Sequence, residues 1–267
     1  MKTRPLSFAI LAAYGALVVY TTVSAMLGYR YSPLFTPLVS LLAFTFALLH
    51  GSQRMGWRKT LLLLGLTFGV SLLFESVGVA TGWVYGPYHY TDKLGPKFLG
   101  LVPYLIPVAW FMMTYPSYVI ATRLAPAFKS IWAWRLWVAA VGAVVMTAWD
   151  LAMDPMMAGG GHWIWEVEGA YFGIPLQNFW GWWLTVFVSF LLFLTVGRVT
   201  TEVEPTMVKH RCNDFNRYDR LAILSYTLTG LSSVAIDLRF GLGGAGMVGV
   251  FAMLPWVVLG WRDKSSQ

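Results

Sequence analysis

The stretch FESVGVATGWVYGPYHY, Phe74 to Tyr90, sets one carboxylate, Glu75, in a long apolar run that then breaks into an aromatic, glycine-rich loop. An acid facing hydrocarbon is costly and asks for a reason. It is either a helix–helix staple with no chemistry or part of a site.

The rest of the chain shows that the run is a membrane span. Hydrophobic residues make up 57% of the 267 residues and charged ones 12%, and the mean hydropathy is +0.61. These values lie outside the range of soluble domains. Each span needs about 20 residues to cross roughly 30 Å of hydrocarbon. The expected fold is therefore all-α, a polytopic transmembrane bundle of about eight spans forming a single integral membrane domain over 1–267. The spans read as Ser7 to Gly28, Leu34 to His50, Leu61 to Trp83, Phe98 to Ala121, Ile131 to Met153, Phe179 to Val199, Leu221 to Leu238 and Leu242 to Trp261. The first follows Lys2 and Arg4 and ends in TTVSAM. A signal peptide cleaved after Ala25 is the rival reading, but the apolar stretch is long for one and carries Tyr14 and Tyr20, so an uncleaved helix is expected.

The net charge of +7 comes from cations spread over short loops rather than a dense patch, which argues against nucleic-acid binding. These cations fall at the N-terminus, 51–60, 122–135, 198–220 and the C-terminus. By the positive-inside rule both termini are expected in the cytoplasm, with the protein in the cell's inner (cytoplasmic) membrane. Cys212 is the sole cysteine, so no intramolecular disulfide or cysteine-based metal site can form. No lysine falls inside a span, which argues against a retinal Schiff base.

In this frame Glu75, Asp150, Asp154 and Asp237 share the non-cytoplasmic half. Glu202, Glu204, Asp214, Asp219 and Asp263 lie among arginines and lysines and read as solvated charges. Glu75, Gly78 and Gly82 share one helix face, leaving bare backbone for a close helix or a flat ligand. In AWDLAMDP, Asp150 and Asp154 are one turn apart just before Pro155, where the helix is expected to end. Two such carboxylates repel, so one proton shared between them suits an acid catalyst. A magnesium site for a diphosphate is the weaker rival, because no arginine or lysine cluster stands ready to take the phosphates. The following loop, GGGHWIWEVEGAYFGIPLQNFWGWW (159–183), crowds His162, Glu166 and Glu168 among Trp163, Trp165, Tyr171, Trp180, Trp182 and Trp183. Some of these rings belong to an interfacial belt; together they offer π faces for a carbocation. His89 and His162 lack the spacing of a helical metal motif. A weak echo links Glu75, Trp83, Gly86, Tyr88 and Pro103 with Asp150, Trp163, Gly169, Tyr171 and Pro175, as a duplicated hairpin would.

The two blocks at 74–110 and 148–183 resemble the signature blocks of membrane carotenoid-biosynthesis proteins, a family that includes the carotenoid 1',2'-hydratases and bisanhydrobacterioruberin hydratase. The resemblance covers about residues 60–190. It implies addition of water across the terminal double bond of an acyclic carotenoid end group, such as that of lycopene or γ-carotene, to give a tertiary alcohol, with no cofactor and no metal. The implied substrate is dissolved in the lipid bilayer, and other carotenoid-pathway enzymes are candidate partners. On this reading Glu75, Asp150 and Asp154 are the catalytic acids, and Tyr88, Trp163, Trp165, Tyr171 and Asn178 bind the substrate. Competing readings are a proton-initiated lycopene cyclase or isoprenoid transferase, a proton-coupled transporter, for which Pro107 and Pro116 would break a helix, and a non-catalytic carotenoid-binding protein.

Overall fold

The computed structural model describes residues 4–29, 32, 34–199 and 208–262. Eight helices among them are long and apolar enough to cross a membrane. They are α1 (Arg4–Leu27), α2 (Phe35–Met55), α3 (Trp57–Thr81), α4 (Leu105–Leu124), α5 (Ile131–Gly159), α6 (Leu176–Val196), α7 (Val208–Arg239) and α8 (Gly243–Trp261). In α4, 78% of the apolar window is buried, and in α5 61%, against 28% in α1, α3 and α8. Helices α4 and α5 therefore form the centre, and the other three turn much of their surface to lipid.

Several expected boundaries move, each for a local reason. The basic loop expected at 51–60 shrinks to Gly56, whose φ of 83° breaks the helix where other residues would be strained. The fourth span starts at Leu105 rather than Phe98, because Lys97–Phe98 (β2) and Val102–Pro103 (β3) pair as a short hairpin. The seventh helix begins at Val208, well before Leu221. Pro155 does not end α5. It removes the N–H that would bond the Leu151 carbonyl, and the Tyr171 hydroxyl donates to that carbonyl at 2.8 Å instead. Helix α4 likewise continues through Pro116, and Pro107 sits in its first turn, where no donor is missed. The helix break that would have favoured a transporter is not found in α4.

At one end of the bundle the α3–α4 and α5–α6 connections meet. Tyr88–Tyr90 (β1) pairs antiparallel with Trp163–Trp165 (β4), in the register Tyr88 with Trp165, His89 with Ile164 and Tyr90 with Trp163. Glu75 and Asp150 each lie thirteen residues before the first residue of their strand. Thr91 Oγ1 donates to Gly161 O at 2.8 Å and Lys93 Nζ to Gly160 O at 2.6 Å, which ties the two connections together.

The glycines on the Glu75 face are filled by the protein itself. A Cβ at Gly78 would stand 2.7 Å from the Tyr85 ring, and one at Gly181 would stand 2.5 Å from both that ring and the Val84 carbonyl oxygen. Tyr85 is clamped between α3 and α6, with its hydroxyl 2.7 Å from Thr185 Oγ1. Gly82 is the left-handed cap of α3, with φ 71°.

The opposite end corrects the reading of Asp219 as a solvated charge. Asp219 is buried and accepts from Arg54 Nε at 2.8 Å and Nη2 at 3.3 Å, with Arg123 Nη1 at 3.9 Å. Nearby, buried His50 stacks on Tyr218 and bonds the Tyr218 carbonyl at 2.9 Å. A ring nitrogen facing a carbonyl must carry the hydrogen. The other nitrogen, Nδ1, then accepts from Tyr115 Oη. Removing one partner of a buried ion pair strands the other, so Asp219→Ala should cost about 3 kcal/mol of stability, read as an earlier thermal transition in detergent. Glu202, Glu204 and Asp263 lie outside the described residues, as does the side chain of Asp214.

Candidate active site

The strand pairing sets a cavity of about 380 Å³ beneath the joined connections. Glu75 and Asp154 both line it, with Asn178, Tyr88, Trp163 and Trp165. Its lining continues between α1, α2 and α7, where Val18, Val39 and Ile236 alternate with hydroxyl-bearing residues such as Thr21, Ser40 and Ser233.

Glu75 is 3% exposed and receives three donors. Both the Tyr88 and Tyr90 hydroxyls donate to Oε2, the latter at 2.9 Å, and Trp110 Nε1 donates to Oε1 at 3.0 Å. Alternation along β1 puts Tyr88 and Tyr90 on one face, so two phenols reach the same acid. Burial, and then the charge of Glu75, push both phenols well above the usual tyrosine range, so they remain protonated donors.

Asp150 and Asp154 face a single amide. Asn178, in the first turn of α6, donates one N–H to Asp150 Oδ2 at 3.1 Å and the other to Asp154 Oδ2 at 2.6 Å. Asp154 Oδ1 also accepts from Trp163 Nε1 at 2.8 Å. Asp150 is fully buried, its Oδ1 has no partner among the described residues, and it does not line the cavity. Each cavity-facing acid is thus gripped by an indole N–H, Trp110 on Glu75 and Trp163 on Asp154.

Of the residues singled out in sequence, Glu75, Asp154, Tyr88, Trp163, Trp165 and Asn178 converge on the cavity. Asp150 stands behind Asn178. Tyr171 lies outside the cavity wall and completes the Leu151 carbonyl; burial and the neighbouring acids push its phenol up to about 12. Asp237 is buried with neither carboxylate oxygen partnered among the described residues, and it too is outside the wall. His89 pairs with Glu166 at 3.2 Å on the exposed side of the strands. His162 reaches the cavity rim, and burial pushes its imidazole below the usual range. Among the described residues no three histidine, cysteine, aspartate or glutamate side chains converge as metal ligands would.

Sequence reasoning missed Tyr90, Trp110 and Trp149, which line the cavity together with Trp182. For Tyr90 the signal was the Tyr-x-Tyr alternation, had the loop been read as a strand. Trp110 and Trp149 carry no such mark.

These features define a class: a multi-pass membrane protein whose helices enclose a carboxylate-bearing, aromatic-walled cavity. The chain belongs to the carotenoid biosynthesis protein family, whose model matches residues 35–254. It is also 37% identical over 136 residues to the bisanhydrobacterioruberin hydratase of Haloarcula japonica, a match covering 51% of this chain and 45% of the relative. No solved structure matches the chain.

Proposed function

We propose that the protein is a carotenoid hydratase that adds water across the 1',2' double bond of an acyclic end group by acid catalysis. The observation that carries this reading is that two buried acids, Glu75 and Asp154, face one cavity. Glu75, whose two oxygens accept three hydrogen bonds, is the proton acceptor in this reading. The aspartates sit too close in a poorly polarisable interior to be charged together, so the pair retains one proton. Asp154 lines the cavity and Asp150 does not, which makes Asp154 the donor and Asp150 the partner that shares its proton.

In the proposed reaction the Asp154 O–H bond breaks as the alkene π pair forms a C–H bond at C2', leaving a tertiary cation at C1'. A lone pair of water then forms the C–O bond at C1', and Glu75 accepts the proton that water releases. The cycle closes when that proton returns to the aspartate pair. Atoms and charge balance with water as the sole co-reactant, so no redox step is involved. An apolar polyene would enter from the bilayer along the part of the cavity between α1, α2 and α7. On the same reading the chain is one integral membrane domain with both termini in the cytoplasm, because the basic residues cluster at the end carrying Gly56 and Arg54.

Expression in lycopene-producing cells should yield more polar pigments heavier by one water. An unchanged pigment profile, with the protein present in the membrane, would rule out this activity on that substrate. A product of equal mass would indicate a cyclase.

A further inference from the structure

Three tryptophans left without a task by this scheme meet on one wall of the cavity. Trp110 and Trp182 stack with ring centroids 4.1 Å apart and planes 24° from parallel, and Trp149 stands edge-on to Trp182 at 6.0 Å. All three line the cavity together with Glu75 and Asp154. Tryptophan offers the most negative π face of the aromatic side chains. Trp110 also donates its N–H to Glu75 at 3.0 Å, and a donor polarised by a carboxylate holds more electron density in its ring.

Among the described residues no cation lies on this wall. The arginines that lie over rings do so elsewhere, on Tyr218, Tyr118, Trp132, Trp261 and Phe240. Lys93 and Lys97, on the connection above the site, are committed to the carbonyls of Gly160 and Tyr90. An anionic carboxylate and a stacked indole face in an apolar cavity are complementary to a positive charge on a greasy molecule.

We infer that the Trp110–Trp182 face, backed by Glu75, is a cation site: it holds the tertiary carbocation of the hydration reaction and, by the same electrostatics, binds lipophilic tertiary ammonium compounds. The catalytic half of this inference rests on the hydratase reading; the ammonium-binding half does not. Trp182 is the cleaner residue to test, because Trp110 also holds Glu75.

The test compares Trp182→Phe with Trp182→Leu in the full-length protein in detergent. A π face kept in the phenylalanine variant and lost in the leucine variant should lower kcat about threefold and about thirtyfold respectively, with KM little changed. Protonated N,N-dimethyldodecylamine should bind the wild type about tenfold more tightly than its uncharged carbon isostere, and Trp182→Leu should lose that preference. A packing role alone would leave the two variants alike and the wild type indifferent to charge, and either result overturns the inference. If Trp182→Leu does not fold, the phenylalanine variant and the ammonium preference of the wild type still decide. A wild type that prefers the ammonium ion but makes no alcohol would refute hydration and leave the cation site standing; the converse would refute the cation site alone.

Discussion

Asp154→Asn should lower hydration by about a thousandfold, the middle of the range for losing a general acid. The side chain keeps its size, and its one acceptor oxygen can still take either the Trp163 or the Asn178 N–H, but a carboxamide has no acidic proton to deliver to C2'. Substrate binding should persist, so pigment retained by the purified variant separates lost chemistry from lost folding. Asp150→Asn makes a useful comparison, since Asp150 does not line the cavity. Its loss should slow the reaction by about ten- to a hundredfold, at the low end of general acid–base effects. Equal losses at both positions would mean that the pair acts as one unit and that the division into donor and partner is wrong.

Glu75→Gln should lower hydration by about a hundredfold through loss of the proton acceptor. It should also destabilise the protein, because with an NH2 in place of Oε2 the Tyr88 and Tyr90 hydroxyls must turn to accept, and their own hydrogens lose the carboxylate they were donated to. A buried donor left without an acceptor costs about 1–3 kcal/mol. The two effects distinguish a base from a staple. A staple would lose thermal stability while the surviving folded protein turned over at the wild-type rate. A base would lose kcat in the folded fraction.

Hydropathy alone located the eight helices among the described residues that are long and apolar enough to cross a membrane, because a span must be a continuous apolar run whatever it packs against. The acids stood out for a related reason: Glu75, Asp150 and Asp154 are rare residue types for their setting. Their grouping was legible only through the resemblance of the two loop blocks, since nothing in local spacing says that residue 88 pairs with residue 165. Three-residue strands are too short for a period to emerge, and Tyr90 was overlooked with them. Pro155 misled because its missing N–H is made good by Tyr171, sixteen residues on in sequence. Asp219 misled because its arginine partner, Arg54, lies on another helix, and a charge near a basic segment looks the same in sequence whether solvated or buried. Trp110 was hidden by abundance. In a chain with 14 tryptophans, its placement against Glu75 and against Trp182 exists only in three dimensions.

The most direct measurement of the central claim is the label content of pigment incubated with the purified protein in heavy water, both deuterium and heavy oxygen. The account predicts an alcohol with solvent oxygen on the tertiary carbon and one solvent deuterium on the adjacent carbon, and neither label when Asp154→Asn is used. Pigment recovered without label, from wild-type protein that is folded and has bound it, would contradict acid-catalysed hydration at this site.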